Sequence, residues 1–243
     1  MSAPSAVDNL KRRVQAGQDA FASGRLEQAA AEWSAALRSA QRLPVSGQLK
    51  TTLRNNLAGL YHSLGKATQA KRLYTAALAA AEQQHGAKSA AAATILNNLA
   101  ELERSGGHPA KAEPLFRQAL AILETLSPEG TPLVNLLANT SECLRQLGKL
   151  EEAAQLNARA LALAGSSGNT TPAALGVLLN NAAGIEEQRG EYARAIALYE
   201  RAVGSLAQAG SAHDPQRRQA LRNWASVLRR YAAALERSAD ESC

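Results

Sequence analysis

The sequence predicts an all-α solenoid of five antiparallel helix pairs followed by one C-terminal capping helix. Three observations carry that prediction. Asn56, Asn98, Asn139, Asn181 and Asn223 recur at intervals of 42, 41, 42 and 42 residues. A glycine stands nine residues after each of the first four, at Gly65, Gly107, Gly148 and Gly190, and Gly24 extends that series backwards. Composition agrees: Ala and Leu dominate, aromatics make up 4%, and long alternating runs rich in Val and Ile are missing. A period of this length marks a stacked array, in which no single repeat buries its apolar face alone.

The spacing divides the chain into repeats at about 8–46, 47–88, 89–130, 131–170 and 171–213, with a capping helix over 214–237. A short polar segment, 1–7, precedes them and a polar tail, 238–243, follows. Each repeat opens with a first (A) helix, which carries the asparagine in the second to fifth repeats, as does the capping helix. Seven residues before the glycine position this helix has a small residue: Gly17, Ala58, Ala100, Ser141, Ala183 and Ala225. The glycine then ends the helix, because a residue without a Cβ accepts the left-handed conformation of a C-cap. The second (B) helix follows with Ala29, Ala70, Ala112, Ala153 and Ala195. Four residues on stand Trp33, Tyr74, Phe116, Asn157 and Tyr199, and three further Ala36, Ala77, Ala119, Ala160 and Ala202. Small residues let the two helices approach closely, and one large ring per repeat fills the remaining gap. Asn157 breaks the aromatic series, so the fourth repeat is expected to pack less well.

Caps fix the boundaries. Thr131-Pro132, Thr171-Pro172 and Asp214-Pro215 each predict an N-cap side chain before a proline at the first helical position. The linkers before them, 127–130, 165–170 and 210–213, are rich in glycine and serine. Each helix then has roughly 17 residues, about 25 Å. In the last helix Leu221, Trp224, Leu228, Tyr231 and Leu235 form an apolar stripe expected to cover the core, with Arg217, Arg218, Arg222, Arg229 and Arg230 facing water. With both ends so marked, the sequence reads as a complete array.

These residues resemble the tetratricopeptide repeat, whose pattern is a small residue in helix A, a glycine-type turn, then Ala-x3-aromatic and Ala in helix B. The longer period, with Asn55-Asn56-Leu57-Ala58, Asn97-Asn98-Leu99-Ala100 and the variant Asn180-Asn181-Ala182-Ala183, is similar to the kinesin light chain subtype. That resemblance implies a non-enzymatic adaptor or scaffold that binds a partner peptide in a concave groove. It also implies that the helix A asparagines contact the peptide. Arrays that clamp a chaperone carboxylate add basic residues, but four before Asn56 and Asn98 stand Thr52 and Thr94.

The asparagines carry the functional question. Each is roughly 0.6 kcal/mol worse than Ala inside a helix, about 3 kcal/mol over five positions, so something offsets the loss. One reading is an inter-repeat ladder of amides. The other is a groove in which amides, donor and acceptor at once, pair with a peptide backbone. Side chains on the same face would then set specificity: Glu101 and Glu142 three residues beyond an asparagine, and His62, Arg104 and Arg145 six beyond.

Other chemistry is weakly signalled. The histidines His62, His85, His108 and His213 are scattered without metal-ligand spacing, and no phosphate loop or nucleophile motif occurs. No enzyme activity, metal or cofactor is expected. Acid pairs such as Glu101/Glu103 and Glu186/Glu187 read as solvated helix surface. Cys143 reads as a buried apolar residue and Cys243 as a free terminal thiol. No apolar run approaches the ~18 residues of a membrane span, and the first residues lack a secretory core, so the expected location is the cytoplasm. The net charge of +6 is concentrated early, with 11 Lys/Arg against 4 acids in residues 1–72. A basic RNA-binding array is the alternative, with few aromatics for stacking and acidic middle repeats against it. An assembly subunit docking by its edge is a third.

Overall fold

The computed structural model describes residues 5–166, 171–209 and 215–240. These residues hold eleven α-helices and no strand. The A helices are α1 (Ala6–Ala22), α3 (Gly47–Ser63), α5 (Ala90–Ser105), α7 (Thr131–Gln146) and α9 (Pro172–Gln188). Their B partners are α2 (Leu26–Arg42), α4 (Ala67–His85), α6 (Pro109–Leu126), α8 (Leu150–Ser166) and α10 (Tyr192–Ala209). A sixth A helix, α11 (Pro215–Asp240), has no B partner among the described residues. The chain divides into two compact units, Met1–Leu126 and Ser127–Cys243. Within each, every A helix packs on the B helix that follows it, α11 packs on α10, and α3 touches α5 as α7 and α11 touch α9.

The glycines do what the pattern requires. Gly24, Gly65, Gly107, Gly148 and Gly190 all lie at positive φ, from 70° to 83°. The next amide reaches back across the turn: Lys66 N donates to Tyr61 O at 2.8 Å and His108 N to Glu103 O at 2.9 Å. That bond is the signature of a helix closed by a left-handed residue. A Cβ there would meet open space, so backbone conformation, not crowding, selects glycine.

The packing series is buried throughout the five pairs. Ala29, Ala70, Ala112, Ala153 and Ala195 are fully buried, as are Ala36, Ala77, Ala119, Ala160 and Ala202. Trp33, Tyr74, Phe116 and Tyr199 fill the slot between them. Facing them are the small residues of helix A. A Cβ on Gly17 would lie 2.3 Å from Trp33 Cδ1, so the first ring uses the space that glycine leaves. Cys143 is buried in α7. Cys243 and His213 lie outside the described residues.

Two expectations about caps divide. Thr171 caps α9, its Oγ1 accepting from Ala174 N at 3.2 Å, with Pro172 behind it. At the other site Gly130 is the N-cap and Thr131 is already helical, without a side-chain cap bond. Leu133 N and Val134 N bond Gly130 O instead, which starts the helix one residue early. Asp214 lies outside the described residues. The capping stripe also needs correction. Val227 and Ala220 face the core with Trp224 packed beside them, and Tyr231 stacks near Tyr192 at 6.0 Å. Leu221, Leu228 and Leu235 are exposed instead, and so is Ala225. No B helix among the described residues covers this face, as one does in every other repeat.

The fourth repeat shows what the missing ring leaves. Asn157 is 2% exposed and its Nδ2 donates to Leu178 O at 3.1 Å, while its Oδ1 is buried without a partner. Beside it lies a cavity of about 500 Å³ lined by Asn157, Ala158, Leu161 and Ile185. Asn157→Phe is expected to raise stability by about 1 kcal/mol, since it removes an unsatisfied oxygen and buries a ring. A lower melting midpoint in the variant would mean that the slot has closed around the amide.

Candidate functional site

The helix A asparagines form inter-repeat bonds in both units. In unit 1, Asn98 Nδ2 donates to Asn55 Oδ1 at 3.0 Å, and Asn97 Nδ2 donates to Asn98 Oδ1 at 3.3 Å. In unit 2, Asn223 Nδ2 donates to Asn180 Oδ1 at 3.0 Å, and Asn181 Nδ2 donates to the Ala138 carbonyl at 3.3 Å. The three inter-repeat bonds each join residues 43 apart, one more than the usual sequence interval. A net gain of about 0.5–1.5 kcal/mol per bond is enough to offset the helix propensity lost at each position. Asn181 is nearly enclosed, and Asn139 is half-buried in α7.

Asn56 is the exception. No hydrogen bond joins its amide to a described residue, and it is half-buried on α3. Its counterpart in α1 at the ladder spacing is Arg13, which pairs with Glu32 of α2 at 3.1 Å. The ladder therefore begins with Asn55 and Asn98 and leaves Asn56 outside it.

Asn56 lines a cavity of about 500 Å³ on the A-helix face of unit 1, together with Asn55, Asn98, Phe21, Trp33 and Tyr74. Phe21 is 49% exposed, an unusual position for a large ring, and lies 5.7 Å from the Trp33 ring. Trp33 Nε1 donates to Val14 O at 3.3 Å, which holds the indole edge inward. Burial, with the nearby Glu101 carboxylate second, pushes the Tyr74 hydroxyl up to about 12, so it stays protonated at neutral pH. No charged side chain lines this cavity. An apolar or aromatic side chain flanked by amide groups matches such walls.

The residues expected to set specificity are engaged with one another. Arg104 holds Glu101 through two bonds of 2.8 and 2.6 Å, and Arg145 holds Glu142 through 2.8 and 2.7 Å. The Glu142 contact, ahead of an opposing burial effect, raises the Arg145 guanidinium further, so its charge is permanent. The Arg145 side chain also lies against Gly184, where a Cβ would come 3.3 Å from its Nε. His62 Nε2 and Ser105 Oγ pair at 2.8 Å. The acid pairs are not merely solvated. Glu103 is buried and paired with Lys71, Glu186 with Arg189, and Glu187 with Arg230 and the Tyr199 hydroxyl. Two of these bridges, Glu103–Lys71 and Glu187–Arg230, join neighbouring repeats where the sequence suggested only solvent.

Phe21 and Gln18, which also borders the cavity, are functional candidates that sequence reasoning missed. The signal was present. Phe21 stands three before Gly24, as His62 and Arg104 stand three before their glycines, and Gln18 shares the register of Gly59 and Glu101. Extending the face backwards with the glycine series finds both.

A profile of the tetratricopeptide repeat matches residues 49–125, and a second profile of the repeat matches 93–180 and 176–239. The chain belongs to the tetratricopeptide repeat family. Among solved structures, BtubC (BKLC) from P. vanneervenii is similar with a TM-score of 0.68 and 21% identity, over 88% of this chain and 96% of that one. A Podosopora anserina protein with nearly identical TPR-like repeats of kinesin light chain type reaches 0.61 at 18% identity, over 82% and 93%. A Rap protein complexed with competence and sporulation factor reaches 0.70 at 16%, over 84% of this chain and 56% of that one. Identity this low carries the fold alone. No curated protein matches. Tetratricopeptide arrays are generally non-enzymatic interaction scaffolds, and protein-interaction adaptor is the class this fold supports. Among the described residues no helix is long and apolar enough to cross a membrane, and no cluster of His, Cys, Asp and Glu could hold a metal ion.

Proposed function

We propose that this tetratricopeptide array is an adaptor whose A-helix face binds an extended segment of a protein partner, with one side chain seated in the cavity beside Asn56. The observation that carries the reading is the unpaired Asn56 amide. It weakens α3 as a helix and returns no inter-repeat bond, yet it lines an uncharged cavity with Phe21, Trp33 and Tyr74. An amide matches a peptide unit as both donor and acceptor, and the three rings offer a seat for an apolar or aromatic anchor. In unit 1 Asn55, Asn97 and Asn98 extend the same surface but also serve the ladder, and in unit 2 Asn139, Asn180, Asn181 and Asn223 stand at the equivalent repeat positions. In unit 1 the paired Glu101–Arg104 groups and His62 would read the partner at the margins, and in unit 2 Glu142–Arg145 offers the equivalent pair on its own A-helix face. The Rap protein of similar fold, solved in complex with competence and sporulation factor, supports ligand binding by arrays of this kind.

The test uses peptides selected from a random library on the full chain. Asn56→Ala should weaken the selected peptides about tenfold, for peptide groups left without a partner, while the melting midpoint holds or rises. Asn98→Ala should instead lower the midpoint, because it cuts the bond to Asn55. Peptides that bind wild type and Asn56→Ala equally would sink the proposal, as would a library that yields no binder.

A further inference from the structure

The exposed face of α11 carries a pattern that the groove does not use. Leu221, Ala225, Leu228, Ala232 and Leu235 are spaced four, three, four and three residues apart, and all five are exposed. Leu221, Leu228 and Leu235 are 40%, 44% and 54% exposed, on a helix of 26 residues. Alternating steps of three and four place apolar residues on one seam, the arrangement by which one helix receives another. Three leucines in register on one monomeric helix form a contiguous apolar surface, which in soluble proteins marks an interaction site.

Repeat position says what kind of surface this is. Ala225 occupies the place of Gly17, Ala58, Ala100, Ser141 and Ala183, and those five are buried where a B helix packs on its A helix. The Leu221, Ala225 and Leu228 part of the seam is therefore the A side of an A/B interface with no B side among the described residues, and Ala232 and Leu235 continue it along the longer helix. The side of α11 next to the seam, away from the arginines, is already taken, with Val227 and Trp224 packed against α9 and α10.

Charge selects the occupant. Arg218, Arg222 and Arg229 line one flank of the seam, spaced four and seven residues apart and so on a common face. All three are exposed, and none makes an ion pair with a described residue; Arg222 donates only to Gln219. One acid, Glu236, stands at the far end of that flank. Two copies of α11 would set arginine rows against each other, which opposes self-pairing.

We infer that α11 docks an acidic amphipathic helix of a protein partner, which packs on the seam of Leu221, Ala225, Leu228, Ala232 and Leu235 as a B helix supplied in trans. The partner presents a small residue opposite the leucines and a large one opposite the alanines, as the Ala112, Phe116 and Ala119 face of α6 does toward α5. Its carboxylates meet Arg218, Arg222 and Arg229. This surface lies in unit 2 and is independent of the cavity at Asn56 in unit 1.

The probe is a labelled synthetic helix that carries the Ala112/Phe116/Ala119 face of α6 with glutamate at its flanking positions. A second helix has the same face and lysine flanks. Anisotropy with the full chain should show the glutamate helix binding at least about tenfold tighter than the lysine helix, with the difference shrinking as salt rises. Leu228→Glu should weaken the glutamate helix by about tenfold or more without shifting the melting midpoint, since this leucine is exposed in the free protein. Arg222→Glu with Arg229→Glu should reverse the preference between the helices. Equal binding of both helices, no binding of either, or insensitivity to Leu228→Glu would each overturn the inference. So would a concentration-dependent dimer by sedimentation that Leu228→Glu abolishes, because the occupant would then be a second copy.

Discussion

Replacing Phe116 by alanine is expected to lower stability by about 3–5 kcal/mol. Its ring is fully buried on α6, four residues after Ala112 and three before Ala119, and both alanines are also fully buried. Those small residues draw α5 and α6 together, so backbone surrounds the ring and cannot collapse far into the space it would leave. The cost then includes lost transfer energy and a residual cavity. Asn157 gives an internal comparison. It occupies the same slot in the fourth repeat, and there its amide oxygen is buried without a partner. Unfolding by urea, followed by helical circular dichroism, measures the difference. A loss below about 1 kcal/mol would mean that the ring is not the centre of its repeat's packing. Two-state behaviour has to be checked first, because repeat arrays can lose cooperativity between their parts.

The fold was legible because each repeat restates the same physical constraints. A glycine at left-handed φ, a small residue on each side of the helix pair and one large ring leave few alternatives, and the period aligns them. Where the pattern was local, reading was less secure. Ser46 and Ser89 cap α3 and α5, accepting from Leu49 N at 3.2 Å and Ala92 N at 3.3 Å, although neither precedes a proline. Thr131 precedes a proline and yet is not the cap, because Gly130 already closes the turn. The candidate site was legible in its register but not in its bonding. Spacing placed the asparagines on equivalent turns of the A helices. It could not show that Asn98 reaches back to Asn55 while Asn56 has no such partner, since both belong to the same Asn-Asn pair in their repeats. The exposed leucines of α11 had the same origin. Periodicity finds an apolar stripe, but whether a stripe is covered depends on a neighbour that sequence spacing alone does not supply.

Ala100→Leu and Ala225→Leu are the same substitution at the same repeat position, and they are expected to differ sharply. Ala100 is fully buried in α5, which packs on α6. Three added carbons there must push the two helices apart or force neighbours from their rotamers, at a cost of about 1–3 kcal/mol. Ala225 is exposed on α11, so a leucine meets water and stability should move by about 0.5 kcal/mol or less. Paired melting curves decide the matter. An unchanged Ala100→Leu would show that close A/B approach is not what selects the small residue. A strongly destabilised Ala225→Leu would show that the α11 seam is already covered in the free protein, and a helix supplied in trans would have no place to dock. If the alanine is open as described, Ala225→Leu should leave folding intact while altering the fit of the glutamate-flanked helix. Its own large residue must then share the groove with a leucine.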